Sequence, residues 1–316
     1  MKVLVTDHVF GDLEAERAAL GALDCRLEVA PDAEPETLAE LAADADAIMV
    51  CFAQIDRAVI EAAPGCKIVA RYGIGTDNVD VEAATRAGIQ VTNVPDYCLD
   101  EVADHAMALL LASARGVVAA ARGVREGEWT VPQEGIHRLA GRRLALVGVG
   151  RIGRRVADRA RAFGYDVVGY DPFVDDWSGI TPADSVEGAV SGADAVSLHA
   201  PLTDETRHVV DDALIDAMER RPVLVNTSRG GLVDLDAVTR ALEDGRLSGV
   251  ALDVTDPEPL PADHPLRTHP RAIVTPHMSF YSAEAQADLQ RRAVDEVVRA
   301  LTGEPPRSPV NQLQTA

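Results

Sequence analysis

The segment 143–172, RLALVGVGRIGRRVADRARAFGYDVVGYDP, constrains the fold more than any other stretch of the chain. Residues 143–147 are an apolar, strand-like run. Gly148, Gly150 and Gly153 follow as G-x-G-x-x-G, with Arg151 and Ile152 inside the turn. Arg154 to Phe163 places Val156, Ala157, Ala160 and Phe163 on one helical face. A second strand, Asp166–Tyr170, ends at Asp171, eighteen residues past Gly153. A bare glycine pattern is only a turn. Strand, helix and acid together make it a dinucleotide site. The first glycine allows the tight turn and the second lets backbone approach a pyrophosphate. The third lets the helix pack on the strand, with its N-terminus facing the phosphates. Asp171 is placed to accept hydrogen bonds from ribose hydroxyls and to repel a 2′-phosphate. Pro172 follows, not a phosphate-binding arginine, so NAD is expected over NADP.

Downstream come NTSRGGLVD around Arg229, ALDVTDPEPL around Glu258 and VTPHMS around His277. An arginine, a glutamate and a histidine, each among turn residues, suit carbonyl reduction. The arginine grips a carboxylate and polarises the adjacent ketone. The histidine moves the proton, and the glutamate orients the histidine and favours imidazolium. Any chain this long contains such residues, so the trio gains its weight from the dinucleotide unit before it.

With these motifs in view, the chain resembles the D-isomer-specific 2-hydroxyacid dehydrogenases. The resemblance rests on RYGIGTDNVD (71–80), NVPDYCLDEVADHA (93–106), VGVGRIG (147–153), SLHAPLTDET (197–206), NTSRGGLVD (226–234), ALDVTDPEPL (251–260) and TPHMSFYS (275–282). TPHMSFYS and the tail LTGEPPRSPVN look most similar to the branch containing the C-terminal-binding-protein corepressors. That branch usually has Trp where Phe280 stands here. The resemblance implies catalysis by Arg229, Glu258 and His277. It implies NAD binding by Gly148, Gly150, Arg151, Ile152, Gly153, Asp171, His199, Ala200, Pro201, Thr206, Thr227, Ser228 and Asp253. His199 would lie beside the nicotinamide half and Asp253 near the carboxamide. Substrate contacts would come from Tyr72, Gly73, Ile74, Arg229 and Phe280, with backbone N–H groups near Gly73 and Ile74 on the carboxylate. Read from the residues alone, Gly73 and Gly75 could equally make a plain turn, and Asp253 could simply cap one. Asp77 suits loop organisation better than chemistry. His105, His137, His208, His264 and His269 have no partner motif and read as surface or packing residues.

The elements alternate as strand and helix, so the expected class is α/β with two doubly wound parallel sheets. Strands are expected at Lys2–Thr6, Arg26–Val29, Ala47–Val50, Lys67–Ala70 and Ile89–Thr92, and helices at Pro35–Ala43 and Asp56–Ala62. The second sheet continues through Val167–Tyr170, Ala195–Leu198, Val223–Asn226, Gly249–Asp253 and Ile273–Thr275. The resemblance implies a discontinuous, flavodoxin-like substrate domain (1–98 plus 284–316) and a Rossmann NAD-binding domain (99–283), the last helix, Ser282–Leu301, returning to the first. A long helical pattern begins at Asp100, and in the family this helix lies at a homodimer interface.

At 316 residues and 47% hydrophobic, the chain can bury two modest cores. No apolar run approaches the roughly 20 residues of a membrane span, and MKVLVTD lacks the pattern of a signal peptide. Cys25, Cys51, Cys66 and Cys98 are widely spaced without CxxC, as expected of reduced thiols in the cytoplasm. No metal site is expected. A formal charge of −21 argues against nucleic acid as a partner.

Small 2-oxo and 2-hydroxy acids are therefore the expected substrates. An NAD(H)-sensing, corepressor-like scaffold is the alternative from another class, since those relatives keep the trio. Phosphoglycerate oxidation is a third reading. Formate oxidation is disfavoured, because Glu258 stands where the resembling formate enzymes carry Gln.

Lys2 and Lys67 are the only lysines. A salty cytoplasm and a GC-rich genome both produce acidic, lysine-poor chains. Screening separates them, because the Debye length falls from roughly 10 Å at 0.1 M salt to about 3 Å at 1 M. A salt-adapted enzyme gains activity and melting temperature as KCl rises to molar concentration. A melting temperature flat to about 2 M KCl, with falling activity, identifies genome composition as the cause.

Overall fold

A computed structural model describes residues 1–131 and 135–313. The chain opens with β1 (Lys2–Val5), α1 (Glu14–Gly21), β2 (Arg26–Val29), α2 (Pro35–Ala42) and β3 (Ala47–Val50). It continues through α3 (Arg57–Glu61), β4 (Ile68–Arg71), α4 (Val81–Arg86) and β5 (Gln90–Thr92). Next come α5 (Leu99–Ala114), α6 (Val117–Arg125), β6 (Arg143–Val147), α7 (Arg151–Ala162), β7 (Asp166–Tyr170), β8 (Thr181–Pro182) and α8 (Val186–Val190). The last elements are β9 (Ala195–Leu198), α9 (Asp212–Asp216), β10 (Val223–Asn226), α10 (Leu235–Glu243), β11 (Gly249–Leu252), β12 (Ala272–Val274) and α11 (Ala283–Thr302). They form two compact units, Met1–Tyr97 with Ser282–Ala316, and Cys98–Tyr281.

The first unit is a parallel sheet of order β2-β1-β3-β4-β5, the flavodoxin-like winding. The inner strands are buried along their whole length and apolar except for Lys2 and Arg71 at their ends, because both faces are covered. Leu38, Val59, Ile60 and Ala84 pack on one face. Leu20, Leu289, Val294 and Val297 pack on the other, which fixes α11 as part of this unit. The tail is bound by Asn311. Its Oδ1 accepts from Val91 N–H and Gln90 Nε2, both at 2.7 Å. Its Nδ2 donates to Thr85 Oγ1 at 2.9 Å and to the Ile89 carbonyl at 3.0 Å.

The second unit is a seven-stranded parallel sheet, β12-β11-β10-β9-β6-β7-β8. Counted from β6, this is the Rossmann order, with winding reversed between β6 and β9. On one face Ala103, Met107 and Leu110 of α5 meet Val156, Ala157 and Ala160 of α7. On the other lie Val190, Ile215, Val238 and Leu242. Two local expectations change. The helical pattern from Asp100 is not continuous: Gly116, at φ +61°, breaks it into α5 and α6. The helix after the glycines begins at Arg151, one turn earlier than its apolar face suggests. No single helix among the described residues is long and apolar enough to cross a membrane. The four cysteines are free, and burial pushes the thiols of Cys51 and Cys66 up to about 12.

Asn311→Ala leaves the buried Val91 N–H and Ile89 carbonyl without these partners. The first unit should lose about 2–4 kcal/mol, read as a lower urea midpoint. An unchanged midpoint would remove the tail from the list of stabilising contacts.

Candidate active site

All strands of the second unit are parallel, so their C-terminal ends share one edge, and every expected catalytic and cofactor residue of this unit lies there. At the winding reversal, Gly148 has φ +95°, and a Cβ on it would stand 2.6 Å from the His199 carbonyl carbon. A Cβ on Gly153 would meet the Gly148 carbonyl oxygen at 2.4 Å. These two glycines are required by the protein's own contacts. A Cβ on Gly150 would face open space, and Gly150 caps α7 without a side-chain hydrogen bond. Room for backbone approach and an uncapped helix start are what a pyrophosphate needs, so these residues fit a dinucleotide. Arg151 is exposed and Ile152 half-buried at that start. Asp171 directly follows β7. One of its oxygens accepts from Val149 N–H at 2.8 Å and the other from Phe173 N–H at 2.9 Å. Each retains lone-pair capacity for a ribose hydroxyl.

His199 ends β9. Its Nε2 lies 2.9 Å from Ser197 Oγ, and its Nδ1 is buried without a partner among the described residues. Burial pushes its pKa down to about 4, so the ring is neutral near pH 7 and unsuited to donate a proton. Ala200 and Pro201 open the following loop, which Thr206 closes by donating from Oγ1 to the Pro201 carbonyl at 2.7 Å. Past β10, Thr227 is buried, and Ser228 Oγ donates to the Leu198 carbonyl at 2.8 Å. Asn226, not singled out from sequence, shapes this turn. It accepts from Ser228 N–H at 3.0 Å and donates to the Arg229 carbonyl at 2.8 Å. Arg229 is half-buried, with Nη1 on the Ser228 carbonyl at 2.8 Å.

Gly230 then joins two loops. A Cβ on it would lie 2.0 Å from the Thr255 carbonyl carbon, so the loop after β10 touches the loop after β11 backbone to backbone. Thr255 N–H donates to Glu258 Oε1 at 3.1 Å. Glu258 Oε2 meets His277 Nδ1 at 3.0 Å. His277 is at φ +49°, a left-handed conformation uncommon outside glycine. Asp253 holds this turn. Its carbonyl accepts from His277 N–H at 2.8 Å. Its carboxylate accepts from Met278 N–H at 3.0 Å, Ser279 N–H at 2.8 Å and Thr275 Oγ1 at 2.6 Å. Burial would raise the Asp253 carboxyl, but the Thr275, Met278 and Ser279 donors outweigh it and hold it below the ordinary carboxylate value. The Phe280 ring meets the His277 ring edge-on, with centroids 6.3 Å apart.

In the first unit, two expectations need correction. The Tyr72 side chain is 1% exposed, within the core, and its hydroxyl donates to Glu16 at 2.9 Å. Burial, then the negative Glu16 beside it, push its pKa upward. The ring therefore cannot line a substrate pocket. Gly73, at φ +146°, spends its N–H on the Arg71 carbonyl at 3.0 Å, and the Arg71 guanidinium occupies the space a Cβ would take. Val94 N–H and Asn93 Nδ2 bind the carbonyls of Gly73 and Ile74, at 2.9 and 2.6 Å. In the second unit, half-buried His105 on α5 fits the packing role expected of it, with Nε2 3.1 Å from Thr275 Oγ1.

Residues 107–279 match the family described as D-isomer specific 2-hydroxyacid dehydrogenase, NAD binding domain. A glyoxylate reductase of Korarchaeum cryptofilum is 40% identical, over 92% of this chain and 90% of that protein. The chain belongs to the D-isomer-specific 2-hydroxyacid dehydrogenase family. It is an NAD-dependent oxidoreductase acting on the CH–OH group of 2-hydroxy acids. A D-3-phosphoglycerate dehydrogenase of Methanocaldococcus jannaschii is 38% identical over 98% of this chain, which spans 59% of that longer protein. An NAD-dependent formate dehydrogenase of Staphylococcus aureus, solved with NAD, has a TM-score of 0.90 at 32% identity. It covers 99% of this chain and 100% of its own.

Asp171 is the residue expected to set cofactor choice. NADH should be preferred over NADPH by roughly tenfold or more in kcat/KM, about 1.4 kcal/mol, and Asp171→Ala should narrow the gap. Equal use of both cofactors by the unmodified enzyme would refute this role.

Proposed function

We propose that this dehydrogenase interconverts a small 2-oxo acid and its D-2-hydroxy acid through Arg229, Glu258 and His277. The observation that carries the reading is the Glu258–His277 pair at 3.0 Å, in a loop that touches the residue after Arg229. In the reductive direction the Arg229 guanidinium binds the substrate carboxylate and polarises the C2 carbonyl. Its planar, permanently charged fork suits both tasks. The glycine loop Gly148–Gly153 and Asp171 would hold NADH, which would supply the hydride that C2 requires. Nε2 of His277 donates the proton that the developing alkoxide requires. Glu258 on Nδ1 fixes which nitrogen faces substrate and stabilises the imidazolium that gives the proton. Phe280, against the His277 ring, offers an apolar wall for the substrate's side chain.

The test is turnover of glyoxylate, hydroxypyruvate, pyruvate, phenylpyruvate and 3-phosphohydroxypyruvate with NADH. His277→Ala should lower the rate by roughly 10²–10⁴ on any accepted substrate, with NADH binding kept. Tight NADH binding with no turnover of any substrate would overturn the catalytic reading in favour of a scaffold. The similarity to the Methanocaldococcus enzyme over nearly this whole chain favours including the phosphorylated acid.

We further propose a homodimer. The core face of α5 is spent on its own sheet. Beyond it, α6 has no buried residue, and Val117, Val118, Val124, Trp129, Val131 and Ile136 are all exposed. Ile136 returns to within 3.5 Å of a Cβ placed on Gly116, which gathers part of this apolar surface around the helix break. The four free thiols suit a reducing cytoplasm. Light scattering should give twice the 33.6 kDa chain mass, and Val118→Asp with Trp129→Asp should give the monomer. A monomeric parent protein would refute the assignment.

A further inference from the structure

The histidine at position 105 has no role in the reaction described so far, yet it reaches the turn that carries His277. Helix α5 packs on β11 and β12. From it, half-buried His105 places Nε2 3.1 Å from Thr275 Oγ1 and 3.5 Å from Asp253 Oδ1. The hydroxyl of Thr275 has one proton to give. At 2.6 Å from a carboxylate that can only accept, that proton goes to Asp253. Thr275 Oγ1 must then accept from His105, so the His105 proton lies on Nε2. The chain of donors runs one way, from His105 Nε2–H to Thr275 Oγ1–H to the Asp253 carboxylate. That carboxylate also receives the N–H groups of Met278 and Ser279, the two residues after His277. The His277 backbone is left-handed at φ +49°, a conformation that crowds the Cβ of a non-glycine residue. It persists where its surroundings over-determine it.

We propose that His105 is a positioning residue for the dehydrogenase reaction, acting through Thr275 and Asp253 to hold the left-handed His277 turn in register with Glu258. The inference rests on the catalytic reading of His277. Without the Nε2 donor, Thr275 Oγ1 can turn away from Asp253, the carboxylate loses its shortest bond, and the His277 imidazole loses its fixed direction. Glutamine can place its amide N–H near the same point, whereas leucine fills the space without donating.

The test compares His105→Leu, His105→Gln, Thr275→Val, the His105→Leu with Thr275→Val double variant and His277→Ala, each in the 316-residue chain. Active sites are counted by NADH fluorescence titration, so rates refer to folded, cofactor-binding protein. His105→Leu should lower kcat per titrated site roughly tenfold to hundredfold, the scale of ångström-level misplacement of a catalytic group. KM for the 2-oxo acid should stay within about threefold, and His105→Gln should recover most of the lost kcat. His105→Leu with Thr275→Val should cost no more than the worse single change, because both cut one chain of bonds. A His105→Leu enzyme with unchanged kcat per site, or a glutamine variant as impaired as leucine, would overturn the proposal. If His277→Ala is inactive while His105→Leu is unimpaired, the positioning role alone falls. If His277→Ala keeps full kcat, the catalytic reading fails with it.

Discussion

The backbone contact at Gly230 is the constraint on which the arrangement of Arg229, Glu258 and His277 depends. Parallel pairing of β10, β11 and β12 delivers three loops to one edge, but strands in register do not by themselves bring loop residues together. With no side chain at Gly230, the Arg229 loop lies directly on the peptide joining Thr255 and Asp256. Thr255 N–H then fixes one oxygen of Glu258 and leaves the other for His277. The arginine, glutamate and histidine are thus linked by a glycine, a peptide N–H and the Glu258 carboxylate.

A second carboxylate, Asp253, works inside the sheet edge while Glu258 works at its surface. The Asp253 side chain has no exposed area and is surrounded by donors, which keep it charged despite its burial. Glu258 is about one-third exposed and has one oxygen on a peptide and one on an imidazole. The buried acid suits a fixed structural charge, and the surface acid suits a group whose partner gains and loses a proton. His199 shows the converse, because burial keeps it neutral and removes it from acid–base work.

Both sheets were legible in the sequence because parallel strands covered on both faces read as short apolar runs between turn residues. The glycine loop was legible because its glycines stand between a strand and a helix, and at Gly148 and Gly153 a Cβ would collide with backbone. The break at Gly116 was not, since one glycine inside an alanine- and valine-rich helical pattern is also tolerated without a break. β8 spans only Thr181–Pro182, too short to carry any pattern. The substrate contact at Tyr72 came from the resemblance alone, and nothing in the sequence after β4 says which way that side chain turns once the strand ends. It turns inward, where Glu16 and the Phe10 ring receive it. His105 and Thr275 lay within recognised motifs, but only the packing of α5 on β12 reveals that they meet.

The most direct measurement is the kinetics of Gly230→Ala. The added methyl group would collide with the Thr255 backbone, while the glycine loop on β6 is separated from β10 by β9. If the contact assembles the trio, the variant should fold and bind NADH within about threefold of the parent, while kcat/KM for the best 2-oxo acid falls at least roughly a hundredfold. Parental kcat/KM in a folded Gly230→Ala enzyme would contradict the account.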